Sequence, residues 1–388
     1  MKKIVYWSPF ISKIATVKAV LNSAKALSNY SNNLLDVEIL NVCGEFDEYK
    51  KNTNLKFRDL SKFSISKFLS DKGFFLSRVS FVIIFLYSLF PLLNFLKKKK
   101  PDYLVIHLIT ILPLLINFFF KLDTKIILRI SGLPKIIGLR KILWKFLLPK
   151  VSLITCPSKK TVNDLVNQGF VDERKIFLLS DPIIEPKDAK NKINENLQLD
   201  NHKYIFSAGR LTKQKNFSFL INCFKTISQK HKNLILIIAG DGEEYFNLTK
   251  LINNLELKSK IKLIGYKKNI YKYMKNSFCF ILPSLWEDPG FVLVEALFSR
   301  CSVIASDCPN GPKEILSNGE GGYLFESNNL NSFHNTFEKF LKDREYEKEK
   351  ILRKKIIGLK NIKKFSLFNH YDVFSKIILE NSKSINDL

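Results

Sequence analysis

Apolar residues in the second half of the chain recur in short runs that are separated by amphipathic stretches. The runs lie at 204–210, 233–242, 261–265, 278–284, 302–307 and 321–326. Between residues 216 and 228, apolar side chains return every three or four positions, which is the period of a helix with one buried face. Apolar strands that alternate with helices predict a mostly parallel sheet covered on both faces, hence a doubly wound α/β domain.

The first half repeats this pattern less regularly. Candidate strands lie at 3–7, 37–42, 103–108, 125–130 and 152–156, and candidate helices begin near Thr16 and Lys160. A chain of 388 residues is longer than one hydrophobic core usually serves. We therefore predict two domains, at 1–182 and 204–365. The polar stretch at 183–203 has no apolar periodicity and is interpreted as the linker between them.

The region from residue 50 to 150 has a composition of its own. It contains 20 Lys and Arg residues against 4 Asp and Glu residues, and so supplies +16 of the net charge of +26. Its apolar run at 79–96 leads directly into four lysines and just reaches the length of a membrane-spanning helix, although Pro91 interrupts it. A buried core helix and a surface lying in a bilayer interface are the other two interpretations. A second apolar run at 112–121 favours the interface.

The overall charge and the cysteines narrow the possible partners and the compartment. A net charge of +26 favours anionic partners such as phosphates, acidic lipids or nucleic acid. The six cysteines have no metal-binding spacing and indicate a reducing compartment. The apolar stretch in the first ten residues is too short for a signal-peptide core and is interpreted as a buried first strand.

Candidate chemistry lies where the predicted strands of the second domain end, because ligands collect at the carboxyl ends of parallel strands. After the first of these strands, Gly209, Arg210 and Lys215 can converge on one anion, for which a diphosphate is the natural ligand. The alternative is a basic turn that is exposed to solvent and binds no ligand. Asp241 lies between two glycines after the next strand, where an ordinary tight turn is the alternative.

The stretch at 282–316 is the richest in candidate residues. Asp288 and Pro289 look like a helix cap and the first helical residue, so the amides of Gly290, Phe291 and Val292 would face a phosphate. Glu287 precedes this helix and Glu295 lies within it. Two such carboxylates can hold the hydroxyls at the two ends of a sugar nucleotide. Capping or surface carboxylates are the alternative.

The order of these motifs resembles glycosyltransferase family 4, a group of retaining enzymes with the two-domain GT-B fold. The resemblance is strongest between about residues 100 and 335, and its most specific mark is the pair of glutamates with Gly-Phe between them. It implies two Rossmann-like doubly wound domains that face each other across a cleft. It also implies that a last helix, at about 366–388, returns to the first domain.

The resemblance assigns roles to individual residues. Arg210 and Lys215 would hold the donor diphosphate with the amides of Phe291 and Val292, Glu287 would contact the transferred sugar, and Glu295 would bind the ribose. Arg210, Lys215 and Glu287 are the implied catalytic residues. The implied donor site consists of Gly209, Arg210, Lys215, Asp241, Gly265, Tyr266, Glu287, Gly290, Phe291, Val292 and Glu295. No metal and no cofactor are expected beside the nucleotide-diphosphate sugar.

The first domain departs from the family pattern. A glycine-rich turn is common after the first strand, but residues 8–16 contain no glycine. A cleft histidine is common after the fourth strand, but Arg129 and Ser131 stand there. His107, one strand earlier, corresponds to a different family histidine. These three residues are candidates for the acceptor side of the cleft, although a histidine at a strand end can also be purely structural.

The sequence thus predicts a glycosyltransferase that acts on a lipid-linked glycan acceptor in surface polysaccharide or lipopolysaccharide assembly. Its basic, aromatic first domain would bind the anionic inner-membrane surface from the cytoplasmic side. A sugar-nucleotide epimerase of the same fold would need acid-base side chains in the cleft, and the first domain offers few. A nucleic-acid-binding protein would explain the charge, but the basic residues lie beside apolar runs rather than along a polar stripe, so nucleic acid is not an expected partner.

Overall fold

The computed structural model of the chain describes residues 1–11, 15–69, 74–120, 122–131, 138–197 and 203–383. The chain divides into two compact units. Unit 1 contains residues 1–183 together with 367–388, and unit 2 contains residues 184–366.

Unit 1 is built on a parallel sheet of seven strands in the order β3-β2-β1-β4-β5-β6-β7. Its strands are β1 (Lys2–Trp7), β2 (Leu35–Asn41), β3 (Lys56–Asp59), β4 (Tyr103–Ile106), β5 (Lys125–Arg129), β6 (Leu153–Cys156) and β7 (Ile176–Leu178). Its helices are α1 (Ala15–Tyr30), α2 (Asp47–Lys50), α3 (Phe74–Lys99), α4 (Ile111–Phe120), α5 (Leu139–Leu147), α6 (Lys159–Val166) and, at the end of the chain, α15 (Leu367–Lys383).

Alternation along β1 distributes its side chains between two core layers, because successive residues of a strand point to opposite faces. Val5 and Trp7 lie in the layer that also contains buried residues of α3 and α4. Ile4 and Tyr6 lie in the layer that contains buried residues of α1 and α15. The C-terminal helix therefore completes the core of unit 1 by packing on α1.

Unit 2 has a parallel sheet of six strands in the order β10-β9-β8-β11-β12-β13. Its strands are β8 (Lys203–Ala208), β9 (Leu234–Ala239), β10 (Ile261–Leu263), β11 (Cys279–Leu282), β12 (Val303–Ser306) and β13 (Tyr323–Phe325). Its helices are α7 (Pro186–Asn194), α8 (Phe217–Lys230), α9 (Tyr245–Asn254), α10 (Tyr271–Asn276), α11 (Phe291–Phe298), α12 (Pro312–Ile315), α13 (Leu330–Tyr346) and α14 (Lys348–Asn361). The predicted fold class, two doubly wound α/β domains with parallel sheets, is confirmed.

The stretch interpreted as a linker contains a helix. Pro186 occupies the start of α7, where its fixed φ angle suits a helix. Lys192 pairs with Asp188 one turn earlier at 2.6 Å, and Asn269 donates to the carbonyl of Lys192 at 2.8 Å. The helix has one buried side chain, Ala189. A polar sequence with so little apolar periodicity gives no helical signal. The helix is stabilised by contacts with the rest of unit 2, which the sequence pattern does not show.

The apolar run at 79–96 forms part of one continuous helix, α3, which passes through Pro91. The predicted interruption at this proline is therefore absent, although proline still removes one backbone hydrogen bond from the helix. By length and composition, α3 could cross a membrane.

Candidate functional site

Two strand-to-helix turns of unit 2 interlock through their backbones. After β8, the amide of Gly209 donates to the carbonyl of Ala239 at 3.0 Å, and the amide of Leu211 donates to the carbonyl of Asp241 at 2.8 Å. Gly240 has a φ of +150°, and a Cβ atom there would lie 1.8 Å from the carbonyl oxygen of Gly209. The turns can approach this closely only because residue 240 is glycine.

Lys215 lies over Gly209 and reaches Glu287 of the next strand end. The Lys215 methylene groups lie 3.4–3.5 Å from the position that a Cβ on residue 209 would take, so the glycine makes room for this side chain. Lys215 Nζ is 2.6 Å and 2.8 Å from the two carboxylate oxygens of Glu287. Both side chains are largely buried, with exposures of 13% and 4%.

Ser284 fixes the position of Glu287 from the end of β11. Its hydroxyl donates to Glu287 Oε1 at 2.6 Å. The amide of Glu287 donates to the carbonyl of Pro309 at 3.0 Å, so the backbone is held as well as the side chain. A lysine and a glutamate 72 positions apart in the sequence are thereby brought into one ion pair.

Helix α11 begins immediately after this carboxylate. Gly290 is its N-cap and has a φ of +97°, so the helix starts at Phe291. The prediction that Asp288 caps the helix and Pro289 opens it is wrong, since the chain cannot be helical before it leaves the left-handed conformation at Gly290. The first amides of a helix have no acceptor within it, so those of Phe291 and Val292 are suited to bind an anion.

Glu295 lies one turn into α11 and is buried. The hydroxyl of Tyr271, from α10, donates to Glu295 Oε1 at 3.4 Å. Burial and the nearby Glu295 carboxylate raise the pKa of Tyr271 far above its usual value, so this phenol remains a donor. Each of the two glutamates thus accepts a hydrogen bond from a hydroxyl group, Glu287 from Ser284 in its own turn and Glu295 from Tyr271 in another helix.

The remaining predicted donor residues surround this centre. Arg210 and Asp241 are exposed. Gly265, after β10, accepts a hydrogen bond at its carbonyl from the amide of Gly240 at 2.9 Å. Tyr266 follows it and is 75% exposed. The structure therefore brings Gly209, Lys215, Glu287 and Gly290 into contact, and it connects Asp241 and Gly265 to them through the interlocked turns.

Sequence reasoning missed three residues that support this site. Ser284 could have been found, because it lies at a predicted strand end three positions before Glu287. Gln214 accepts from the amide of Leu285 at 2.8 Å and donates to the carbonyl of Trp286 at 2.9 Å. Tyr271 belongs to a different helix, and no sequence pattern connects it with Glu295.

The candidate acceptor residues lie in unit 1. Arg129, at the end of β5, donates to the carbonyl of Leu179 at 2.6 Å and to Asp181 at 2.5 Å, and both charged side chains are buried. Burial raises the pKa of Asp181, while the Arg129 guanidinium opposes that shift. This pair holds the segment that leaves unit 1, so Arg129 has a structural role whatever else it does. Ser131 is exposed.

His107 follows β4, and its amide donates to the carbonyl of Trp7 at 3.0 Å. Burial, reinforced by Arg129, lowers the pKa of its imidazole well below the usual value, so the ring is neutral. Among the described residues, its Nδ1 atom has no hydrogen-bond partner. A buried nitrogen in this state is suited to contact a hydroxyl group.

In the part of the chain that the structure describes, no group of three His, Cys, Asp or Glu side chains is placed to hold a metal ion. The cationic side chain that the structure places beside the start of α11 is Lys215, through its contact with Glu287.

Residues 188–357 match the family model described as Glycosyl transferases group 1. The matched stretch lies within unit 2 and contains every predicted donor residue. An uncharacterized glycosyltransferase of Methanocaldococcus jannaschii is 33% identical over 249 residues, which are 58% of this chain and 61% of that protein.

A Campylobacter jejuni enzyme is 34% identical over 203 residues, which are 52% of this chain and 54% of that protein. It is named N-acetylgalactosamine-N,N'-diacetylbacillosaminyl-diphospho-undecaprenol 4-alpha-N-acetylgalactosaminyltransferase. The chain thus spans less than two thirds of the length of these two curated relatives.

The fold of both units together is found in solved structures. HepE of Anabaena, solved in complex with UDP, aligns with a TM-score of 0.70 at 14% identity, covering 98% of this chain and 100% of that one. The chain has the GT-B fold.

Proposed function

We propose that the protein is a glycosyltransferase that moves a sugar from a nucleotide-diphosphate sugar to a glycan acceptor with retention of configuration. The observation that carries this proposal is the buried Lys215–Glu287 pair at the start of α11. It places a cation for phosphate, a carboxylate for sugar hydroxyls and a helix N-terminus side by side.

In the proposed complex, Arg210, Lys215 and the amides of Phe291 and Val292 bind the donor diphosphate. These groups also stabilise the negative charge that grows on the diphosphate as it leaves. Because this charge develops in the transition state, its stabilisation lowers the barrier to transfer. Glu295 accepts from the ribose hydroxyls and Glu287 from the hydroxyls of the transferred sugar. The backbone at Gly265 and Tyr266 borders the base.

The transfer step breaks the bond between the anomeric carbon and the diphosphate oxygen. The acceptor hydroxyl forms a new bond to the same face of that carbon, and its proton passes to the leaving phosphate oxygen. No enzymic nucleophile is required in this scheme. Glu287, which pairs with Lys215 and accepts from Ser284, is held as a hydrogen-bond acceptor. We propose that cationic side chains neutralise the phosphates without a metal ion and that no other cofactor takes part.

The acceptor side of the proposal is a lipid-linked glycan, used in surface polysaccharide assembly at the cytoplasmic face of the membrane. The Campylobacter jejuni relative is named for a diphospho-undecaprenol acceptor, which supports this choice. His107, whose ring is neutral and whose Nδ1 has no hydrogen-bond partner among the residues that the structure describes, is the candidate acceptor contact in unit 1.

The two rival functions are not favoured. An epimerase of this fold would need acid-base groups at the sugar, and Glu287 is already bound to a lysine and a serine. A nucleic-acid-binding role would explain the charge but not the buried, oriented Glu287 and Glu295 beside a helix N-terminus.

The donor site is tested by thermal shift of the full chain against UDP, GDP, ADP and CMP. A ligand at 100 times its dissociation constant adds about 2.7 kcal/mol to stability, so binding is visible in a melt. We expect a shift with one nucleoside diphosphate that is lost in Arg210→Ala, Lys215→Ala and Glu295→Ala.

Lys213→Ala is the matched control, because Lys213 lies in the same turn as Lys215 and is exposed. It should retain the full shift. Equal shifts in Lys213→Ala and Lys215→Ala, or no shift with any nucleotide, would contradict the proposed donor site. With an accepted donor sugar, the anomeric configuration of the product tests retention.

A further inference from the structure

The long helix α3 of unit 1 exposes apolar side chains and buries polar ones. Val82, Leu86 and Phe90, at helical spacing on one face, are 57%, 63% and 69% exposed. On the opposite face, Ser80 and Ser88 are 4% and 0% exposed. The surface helix of a water-soluble domain has the reverse arrangement, with its polar face outward.

Neighbouring elements extend this apolar surface. The hydroxyl of Tyr87 donates to the carbonyl of Phe63, so Phe63 lies beside α3. The Phe63 side chain is 78% exposed. Lys97 Nζ stands 4.7 Å from the centroid of the Phe120 ring, which brings the exposed phenylalanines at 118–120 of α4 to the C-terminal end of α3. A soluble monomer rarely exposes so continuous an apolar patch unless something binds it.

Basic residues border the same surface. Three lysines at 97–99 end α3, Lys100 follows them, and all four are exposed. Helix α5, which packs against α4, exposes Ile142 and Phe146 beside the exposed Lys141 and Lys145. Apolar side chains next to lysines match the chemistry of an anionic bilayer surface, where acyl chains lie beneath acidic headgroups.

We propose that the exposed apolar face of α3, with the adjoining ends of α4 and α5, is a binding surface for an anionic lipid bilayer. We call it the α3 face. A second copy of this chain fits it less well, because two such faces would bring their lysines together. The surface stands independently of the transferase activity, whereas its use in presenting a lipid-linked acceptor rests on the proposed function.

Helix α3 lies in the membrane interface in this proposal and does not span the bilayer. Only 33% of its most apolar stretch is buried, too little for an ordinary core helix. Nevertheless Ile84, Leu92 and Leu96 are buried in the core of unit 1. These residues cover about 18 Å of helix, so α3 could cross a bilayer only by leaving the core that it completes.

The test measures flotation of the purified full chain with vesicles of phosphatidylcholine, with and without phosphatidylglycerol. We expect binding that depends on phosphatidylglycerol and decreases with salt. Val82→Asp with Leu86→Asp should weaken binding roughly tenfold or more, because each substitution would place a carboxylate in the interface. Lys97→Gln with Lys98→Gln should weaken it roughly fivefold per charge.

Leu352→Asp with Ile356→Asp is the matched control, since these residues are 59% and 56% exposed at the same spacing on the basic helix α14 of unit 2. This variant should bind like the wild type. Equal loss in both Asp pairs, or no vesicle binding by the wild type, would overturn the proposal. So would lipid-free dimers that Val82→Asp with Leu86→Asp dissociates, since they would make a second copy the occupant.

A wash of cell membranes in alkaline carbonate tests the orientation of α3. An interfacial helix is released by this wash, whereas retention would replace the proposal with a spanning helix. The nucleotide-induced thermal shift is measured on the purified proteins that are used for flotation. A variant that keeps the shift is folded, and vesicle binding without any nucleotide shift would mean that the proposed function fails while the α3 face stands.

Discussion

The cation that is proposed to bind phosphate is already neutralised by a carboxylate. Lys215 is 13% exposed and contacts both oxygens of Glu287. A buried lysine without a partner would be costly, so the pair keeps the site stable before a donor enters. A diphosphate must then compete with Glu287 for this lysine, which leaves the carboxylate available to the sugar.

Glu287→Gln tests this exchange of partners. The substitution keeps the shape of the side chain but removes its charge, so the nucleotide-free protein should lose about 1–2 kcal/mol of stability. The nucleoside diphosphate should then stabilise the variant more than it stabilises the wild type, because phosphate no longer displaces a carboxylate. Sugar transfer should fall, since the hydroxyl acceptor is weakened.

Ser284→Ala is the control for this prediction. It removes a hydrogen bond from Glu287 and leaves both charges of the ion pair in place. We expect a lower melting temperature with the nucleotide-induced shift unchanged. A shift in Glu287→Gln that is no larger than the wild-type shift would show that the ion pair does not compete with the ligand.

At the scale of elements, the C-terminal helix α15 is joined to unit 1 by a buried chain of hydrogen bonds. His370 Nδ1 lies 2.8 Å from the carbonyl of Ser180, which can only accept, so this nitrogen carries the proton. His370 Nε2 then accepts from the Ser23 hydroxyl at 2.7 Å, and the Tyr6 hydroxyl donates to Ser23 at 2.7 Å. These hydrogen bonds connect β1, α1 and α15, and they require that the imidazole of His370 is neutral.

This requirement makes the docking of α15 sensitive to acid. Burial lowers the pKa of His370 to about 3. An unfolded histidine titrates near 6.5, so between these values the unfolded chain binds a proton that the folded chain does not. The stabilisation that neutral His370 contributes is therefore fully present above about pH 6.5. The free energy of unfolding falls as the pH drops toward 3, by up to about 1.4 kcal/mol per pH unit.

His370→Asn removes this contribution, so its melting temperature should fall less steeply than that of the wild type between about pH 6.5 and pH 4. His107 titrates in the same direction and keeps part of the slope in both proteins. Ser23→Ala should be less stable at every pH with an unchanged slope, because His370 is still present. Parallel profiles for the wild type and His370→Asn would contradict the assigned role.

The elements that could be predicted from the sequence are the ones with apolar runs. The central strands of both sheets are buried along most of their length, so their apolar pattern is visible without the structure. β3 and β7 were not predicted because both are short edge strands, and the three apolar residues of β7 are too few to give a strand signal. Lys56 and Arg58 of β3 pair with Asp36 and Glu38 at 2.6 Å and 2.7 Å, and such polar strands carry no apolar signal. Helix α7 was not predicted because its sequence is polar as well.

The candidate site was predictable as a set of residues but not as a geometry. The strand ends and the glutamate spacing identify Lys215, Glu287 and Glu295. The ion pair and the fit of Gly240 against Gly209 depend on how separate turns approach each other, which no local pattern encodes. The start of α11 was misplaced by two residues because Pro289 is typical of a first helical position, whereas the backbone at Gly290 decides where the helix begins.

At the scale of the whole molecule, the chain leaves and re-enters unit 1 at neighbouring points. The amide of Ile184 donates to the carbonyl of Phe365 at 3.0 Å, and Ile184 pairs with Ser366 as an isolated parallel bridge. Unit 2 is thus one continuous segment whose ends are adjacent, and it has its own hydrophobic core. Such a segment is expected to fold alone.

Residues 184–366 expressed alone should therefore bind the same nucleoside diphosphate as the full chain, because every predicted donor residue lies in this segment. The complementary chain, 1–183 joined to 367–388 by a short Gly-Ser linker, should bind anionic vesicles but give no nucleotide-induced shift. Thermal shift and flotation on both pieces measure this separation. A folded 184–366 segment that fails to bind the nucleotide of the full chain would mean that unit 1 supplies groups to the donor site, and the assignment of that site to unit 2 alone would have to be abandoned.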